Sequence, residues 1–405
     1  MAPLVVAVLF SLLQAAGYSG VSFSNDSYRY ARSALHLLGD SRADAQAEAL
    51  KAYCANTTNR AQRLDDVNPA RYTLPPRQPQ QYRTCLTRYA QGLEPAAPEY
   101  DRIFDTRPGY PLVVAPAVAV LGVMPGMWLT DLAITLAGSF LVLFLLRAIG
   151  ASRAAALAGQ ILYLACPIAY WSMRPLSEGL VNDCALAAVL AAWWLVKGRT
   201  GAGAAVLLGS FALLSLVKYS TALLLGAGFV AAAIAMFVFS RVRGRGVLLL
   251  AGLSFAVTAA NAVVIRLWSL PSTGETLQDT FTDHFLLPAV PDPWAQLLDL
   301  NMRYWPHWVV TQALDPLFLA CTALAAWALI RRGTPVITWL CLVLLVTGLG
   351  AAVAHPVADQ TERLWLLAWI PPVIGLVLWL DLLRRPAGQP AADTTAADAV
   401  SAAAR

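Results

Sequence analysis

Apolar runs of about 20 residues follow one another along most of the chain, at approximately 2–20, 128–146, 154–172, 180–196, 201–219, 221–240, 246–265, 309–330, 334–354 and 364–383. Each is long enough to cross a hydrocarbon core of about 30 Å as a helix. Such a pattern leaves few folds open, because a segment in lipid has to pair its backbone amides and carbonyls internally. With 58% hydrophobic and 13% charged residues and a mean hydropathy of +0.58, the 405 residues also lack the charge that covers a soluble protein. The chain reads as an all-α polytopic membrane protein. A further run at 109–125 is short and holds Pro111, Pro116 and Pro125.

Basic residues orient such helices. Arg147 and Arg153, Lys197 and Arg199, Arg241, Arg243 and Arg245, Arg331 and Arg332, and Arg384 and Arg385 fall in every second connection, the pattern of cytoplasmic loops. The connections 174–183, 218–221, 266–307 and 355–363 are then external, as is the first loop at 21–108, and the C-terminus is cytoplasmic. Only one crossing fits between that loop and Arg147, so the run 109–125 reads as juxtamembrane or re-entrant. Ten spans are expected, or eleven if one basic loop breaks the rule. Residues 1–18 lack the basic region of a signal peptide and read as an uncleaved first helix that holds Asp26 at the membrane. The transmembrane domain takes in residues 1–385, and 386–405, rich in Ala, Asp and Thr, reads as a disordered cytoplasmic tail. The net charge of +5 resides in the helix-orienting clusters and gives no reason to expect a nucleic-acid partner.

Within the first loop, residues 26–51 have helical spacing, with Tyr28, Ala31, Leu35 and Leu38 on one face and Arg29, Arg32 and His36 on the other. That is the pattern of a helix lying along the interface. Residues 56–82 are dense in Pro and polar side chains and are expected to form an irregular loop. Cys54 and Cys85 lack metal-ligand spacing, and outside the cell they are expected to pair as a disulfide. The other four cysteines lie in apolar runs as small buried side chains.

Ionisable residues are costly in lipid, so their distribution is informative. Asp26, Asp105, Arg107, Arg174, Glu178, Asp183, Lys218, Asp283, His284, His307, Asp315, His355, Asp359, Glu362 and Arg363 all fall on the external side of this topology. An external site has no access to cytosolic nucleotide sugars, and the sequence has no Gly-rich phosphate loop to bind them. A sugar carried on a lipid phosphate meets that constraint. Its phosphate calls for Arg or Lys at headgroup depth, and the attacking hydroxyl calls for a carboxylate to take its proton.

In their order these residues resemble the GT-C superfamily of integral-membrane glycosyltransferases, in particular the branch with the protein O-mannosyltransferases and the lipid A aminoarabinose transferase. The elements are Asn25-Asp-Ser-Tyr28 after the first helix, Arg107-Pro-Gly-Tyr110-Pro111 at the end of the first loop, Arg174-Pro-Leu-Ser-Glu178, Leu216-Val-Lys-Tyr-Ser-Thr221, and Glu362-Arg363 through Trp369-Ile-Pro-Pro372. Two departures are Asp-Ser in place of a double acidic pair, and Arg107 where Lys is usual. The resemblance implies inverting transfer from a polyprenyl-phosphate sugar to a hydroxyl of a glycan, lipid or protein. Asp26 is then the general base, and Arg107, Lys218 and Arg363 hold the donor phosphate. Tyr28, Tyr110, Arg174, Glu178 and His355 are the candidates for substrate contacts. No cofactor is assigned, and a divalent metal is left open, although the histidines lack ligand spacing.

Other roles stand beside these. Asp26 could be a helix cap, Arg107, Lys218 and Arg363 could be cations snorkelling at helix ends, and Glu178 could pair with Arg174. Trp305, Trp308, Trp365 and Trp369 are expected to be interface anchors. A polytopic secondary transporter is the alternative function, and it would place ionisable residues near mid-membrane depth. A non-catalytic envelope scaffold is a third, and it would not require Asp26, Arg107 and Lys218 to converge.

Overall fold

The structure is a computed structural model describing residues 1–75, 78–93, 97–358 and 361–383. The expected tail 386–405, Arg384, Arg385 and Asp359 lie outside the described residues. Among the described residues every regular element is helical. After α1 (Ala2–Gly17), the polar segment holds α2 (Asn25–Leu37), α3 (Arg42–Asp66), α4 (Gln78–Arg88) and α5 (Pro98–Asp105). There follow α6 (Gly109–Leu121), α7 (Val123–Ala148), α8 (Arg153–Ala165), α9 (Pro167–Ser172), α10 (Glu178–Val196), α11 (Thr200–Val238) and α12 (Arg245–Leu267). The last third has α13 (Thr273–Phe281), α14 (Pro293–Leu314), α15 (Leu317–Arg332), α16 (Pro335–Ala354), α17 (Thr361–Leu364) and α18 (Ile370–Leu383).

Six helices are long and apolar enough to cross a membrane, and a seventh span is made if α14 and α15, bent by 88° to each other, count as one broken crossing. The chain is an all-α multi-pass membrane protein. The difference from the ten expected spans lies where the apolar runs are broken. The runs 201–219 and 221–240 join as α11, whose 39 residues are interrupted by non-helical backbone at Lys218 (φ −160°, ψ 80°). At about 1.5 Å per residue α11 would otherwise extend about 58 Å, twice a hydrocarbon core. The run 154–172 divides into α8 and α9 at Cys166 and Pro167, since proline has no amide to continue the ladder. The expected span 309–330 begins earlier, at Pro293, and breaks at Asp315 and Pro316. The last run opens with a 3₁₀ turn, Leu366–Trp369, before α18.

The run 109–125 is a 13-residue helix, α6, ended by Gly122 at φ 81°. At about 20 Å it is shorter than the hydrocarbon core. It folds back on α7 so closely that a Cβ at Gly126 would lie 2.6 Å from the Val118 Cα.

The polar segment corrects three expectations. The helix expected over 26–51 is two helices, broken at Gly39 (φ 103°), with Ser24 capping α2 and Ser41 capping α3. The loop expected over 56–82 is helical at both ends, because α3 runs to Asp66 and α4 starts at Gln78. The prolines that argued for a loop, from Pro69 onward, all follow the end of α3, and Pro79 sits in the first turn of α4, where proline is tolerated. Finally, Arg29 is not on an outer face. It is fully buried, its Nε donates to Asp101 Oδ1 at 3.1 Å, and its guanidinium stacks 4.3 Å above the Tyr100 ring. The pairing answers the cost of burying a charge and makes α2 an interior helix. Cys54 and Cys85 form a disulfide between α3 and α4, with Cα atoms 5.7 Å apart. Asn56 ties α3 to the chain leaving α1, accepting from the Phe23 amide at 2.9 Å and donating to the Val21 carbonyl at 2.8 Å.

Candidate active site

Four side chains from distant parts of the sequence meet in one cluster. Arg363, on α17, places Nη2 2.5 Å from Asp26 Oδ2 and donates from Nε to Glu178 Oε1 at 2.7 Å. Lys218 brings Nζ to 3.9 Å from the same Glu178 oxygen. Glu178 is only 5% exposed, whereas Asp26 and Arg363 are 17% and Lys218 20% exposed, so Glu178 is the most enclosed of the four and the others keep a partly exposed edge.

Local sequence explains each placement. Asp26 lies in the first turn of α2 behind the Ser24 cap, where the helix dipole favours a carboxylate. Glu178 is the first residue of α10. Lys218 occupies the break of α11, beside which the Asn261 amide donates to the Tyr219 carbonyl at 2.9 Å. Arg363 precedes Trp365, which packs against Phe318 at 4.2 Å and Trp308 at 5.7 Å. Trp365 and Trp369 are buried in this aromatic cluster and are not the interface anchors expected of them.

Arg107 enters from the turn between α5 and α6. Gly109, the first residue of α6 after that turn, rests on the backbone at the α11 break, where a Cβ would lie 2.7 Å from the Val217 amide nitrogen and 2.8 Å from the Leu216 carbonyl carbon. The Arg107 guanidinium stands 5.6 Å from the Tyr219 ring, and its Nε is buried without a hydrogen bond among the described residues. Around the two carboxylates of Asp26 and Glu178 are thus the three cations of Arg107, Lys218 and Arg363.

Burial alone would raise the Asp26 pKa, but the guanidinium of Arg363, aided by Arg29 and Arg107, holds it below the ordinary carboxylate range. Arg363 loses some basicity to burial and gains more from Asp26 and Glu178, so it stays charged. His355 is neutral near pH 7, because burial pushes it down to about 4, with Lys218 and Arg363 contributing against the pull of Asp279. Its Nδ1 shares a 2.7 Å hydrogen bond with Thr280 Oγ1, which makes it a neighbour of the cluster but not a member.

The remaining candidates divide. Tyr110 is buried beneath the cluster and donates to Asp131 Oδ1 at 2.8 Å. Tyr28 is buried as well, with the Arg32 guanidinium 6.0 Å from its ring. Arg174 is held elsewhere, with its guanidinium 4.4 Å and 4.3 Å from the Tyr170 and Trp171 rings, so the suggested Glu178–Arg174 pair does not form. Glu178 pairs with Arg363 and Lys218 instead. Asp183, assigned above to an external turn, is a buried residue of α10, because that helix already begins at Glu178.

Sequence reasoning missed Tyr30, which donates to Ser177 Oγ at 3.1 Å and packs on Tyr110 at 5.0 Å. It also missed Asp131. A lone acid inside an apolar run was the available signal for the second, and no signal distinguished Tyr30 from Tyr28. Among the described residues no three His, Cys, Asp or Glu side chains gather closely enough to hold a metal ion. Comparison with family models, curated proteins and solved structures finds no match to the chain.

Proposed function

We propose that the chain is a GT-C-type membrane glycosyltransferase that moves a sugar from a polyprenyl-phosphate donor to an acceptor hydroxyl on the external face of the membrane. The observation that carries this reading is the meeting of Asp26, Glu178, Lys218 and Arg363 in one partly open cluster beside Arg107. Snorkelling cations at separate helix ends need not meet, nor would a scaffold require it.

Asp26 takes the proton of the acceptor hydroxyl. The oxygen attacks the anomeric carbon from the face opposite the phosphate, forming the new glycosidic bond as the carbon–phosphate-oxygen bond breaks, which inverts the anomeric centre. The donor is a phosphodiester with one negative charge, and polyprenyl phosphate departs with a second. Arg107, Lys218 and Arg363 stabilise that developing charge. Three cations against two carboxylates leave the cluster one positive charge, which complements a phosphodiester. In this reading Glu178 holds Arg363 and Lys218 in position, and the substrates approach along the partly exposed edge of Asp26, Lys218 and Arg363.

Asp131 and Asp183, buried within α7 and α10, favour a second reading as a secondary transporter. The Tyr110–Asp131 hydrogen bond gives one of them a structural partner.

The test is transfer from a panel of radiolabelled polyprenyl-phosphate sugars to envelope acceptors by the purified protein in lipid, wild type against Asp26→Asn. Transfer that falls by about 10² or more in the variant while donor binding persists supports the enzyme and its base. A wild type that neither binds nor uses any donor sinks the reading and turns attention to uptake assays.

A further inference from the structure

Away from the cluster, α3 and α4 lie side by side, joined by the Cys54–Cys85 disulfide, and a cleft of about 410 Å³ opens between them. Its size falls within the roughly 300–1,000 Å³ of small-molecule sites. Tyr53 of α3 and Tyr89, just beyond α4, meet in it edge to face at 6.2 Å, and the Arg88 guanidinium lies 5.3 Å from the Tyr89 ring. Gln80, Gln81 and Thr84 line its other wall, and their side chains make no hydrogen bond among the described residues. A second cleft of about 610 Å³ continues along α4, sharing Gln80, Thr84 and Arg88 with the first and adding Arg83. Among the described residues neither is lined by an acidic side chain.

We infer that this pair of clefts binds an anionic glycan, a chain of sugars carrying carboxylate or phosphate groups. Tyrosine rings offer flat apolar faces to the C–H side of a sugar while their hydroxyls stay wet. The uncommitted amides and hydroxyl match sugar hydroxyls, and Arg83 and Arg88 match acidic groups spaced along the polymer. The absence of acids among the described lining residues argues against a basic peptide or a cation, and Arg83 and Arg88 give the clefts a positive rim. Two contiguous clefts make room for several sugar units, and the disulfide fixes the two helices before the ligand arrives. The inference rests on the proposed function only for the outward placement of this segment.

The test uses the full chain in lipid nanodiscs and measures binding of an oligogalacturonate and of a neutral malto-oligosaccharide of equal length. The acidic oligomer is expected to bind at least about tenfold more tightly than the neutral one. Thr84→Glu, which adds a negative charge at an exposed position, and the double change Arg83→Ala with Arg88→Ala should each weaken that binding by about tenfold or more. Equal affinity for the two oligomers, no saturable binding of the acidic one, or indifference to Thr84→Glu overturns the inference. Asp26→Asn should leave this binding intact. Glycan binding without any transfer would count against the proposed function alone, and transfer without glycan binding against this inference alone.

Discussion

The Arg363 guanidinium lies 2.5 Å from the Asp26 carboxylate, so the candidate base is held in an ion pair with a candidate phosphate ligand. A carboxylate so paired is a weak base. It gains basicity only if Arg363 turns to another anion, and a donor phosphate is such an anion.

Binding of a lipid phosphodiester is therefore expected to be linked to protons. As Arg363 leaves Asp26, the depressed pKa of Asp26 rises and the carboxylate takes up a proton, increasingly so as pH falls toward the carboxylate range. Calorimetry with a polyprenyl methyl phosphate, at about pH 5 in two buffers of different ionisation enthalpy, should show uptake in the wild type and none in Asp26→Asn. Binding without uptake would mean that the ion pair persists and Asp26 is never released.

Gly109 offers a test of how Arg107 is placed. A methyl group there would collide with the backbone at Leu216 and Val217, which cannot yield as a flexible side chain would. Gly109→Ala is expected to destabilise the protein by about 1–3 kcal/mol, in the range of overpacked sites, and to weaken lipid-phosphate binding by moving Arg107 away from Lys218. A variant with unchanged thermal stability and binding would show that the turn is not seated on the break.

The disulfide closes a loop of 31 residues. On a chain-entropy estimate its loss costs roughly 3–4 kcal/mol of local stability. Cys54→Ser paired with Cys85→Ser should expose α3 and α4 to limited proteolysis while the apolar helices stay protected. Proteolysis no faster than in the wild type would place the stability of this pair in its packing alone.

Two histidines should respond to pH in opposite directions. The native pKa of His355 is lowered to about 4, chiefly by burial, so the unfolded chain binds the proton that the native chain refuses, and stability falls as pH drops from about 6.5 toward 4. The native pKa of His284 is raised by its hydrogen bond to Asp279, so its contribution is present below the ordinary histidine range and is lost as pH rises through the raised value. In melting curves across pH, His355→Gln should flatten the acid limb and His284→Gln the neutral one. A His355→Gln curve parallel to the wild type would show that this imidazole titrates normally.

The fold class and the principal charged residues of the cluster were legible in the sequence for one reason: lipid makes both long apolar runs and isolated charges conspicuous. Asp26, Glu178, Lys218 and Arg363 stand out because each borders or interrupts such a run. Partners were less legible. Arg174 has the same sequence signature as Arg363, and only packing assigns it to Tyr170 and Trp171. Arg29 looked like an outer-face charge because Asp101, which neutralises it, lies 72 residues away. The length of α3 was hidden because proline density was averaged across a window, whereas the chain places its prolines beyond the helix end.

The break at Lys218 has a consequence for the reading frame of the structure. Two helices meet there with no intervening loop to absorb an error. Deleting one residue would turn the helix after it by about 100° and draw it back by about 1.5 Å. The side chains that face α12 and α16 would then point elsewhere. A chain built this way tolerates exchange at that point more readily than any change in length.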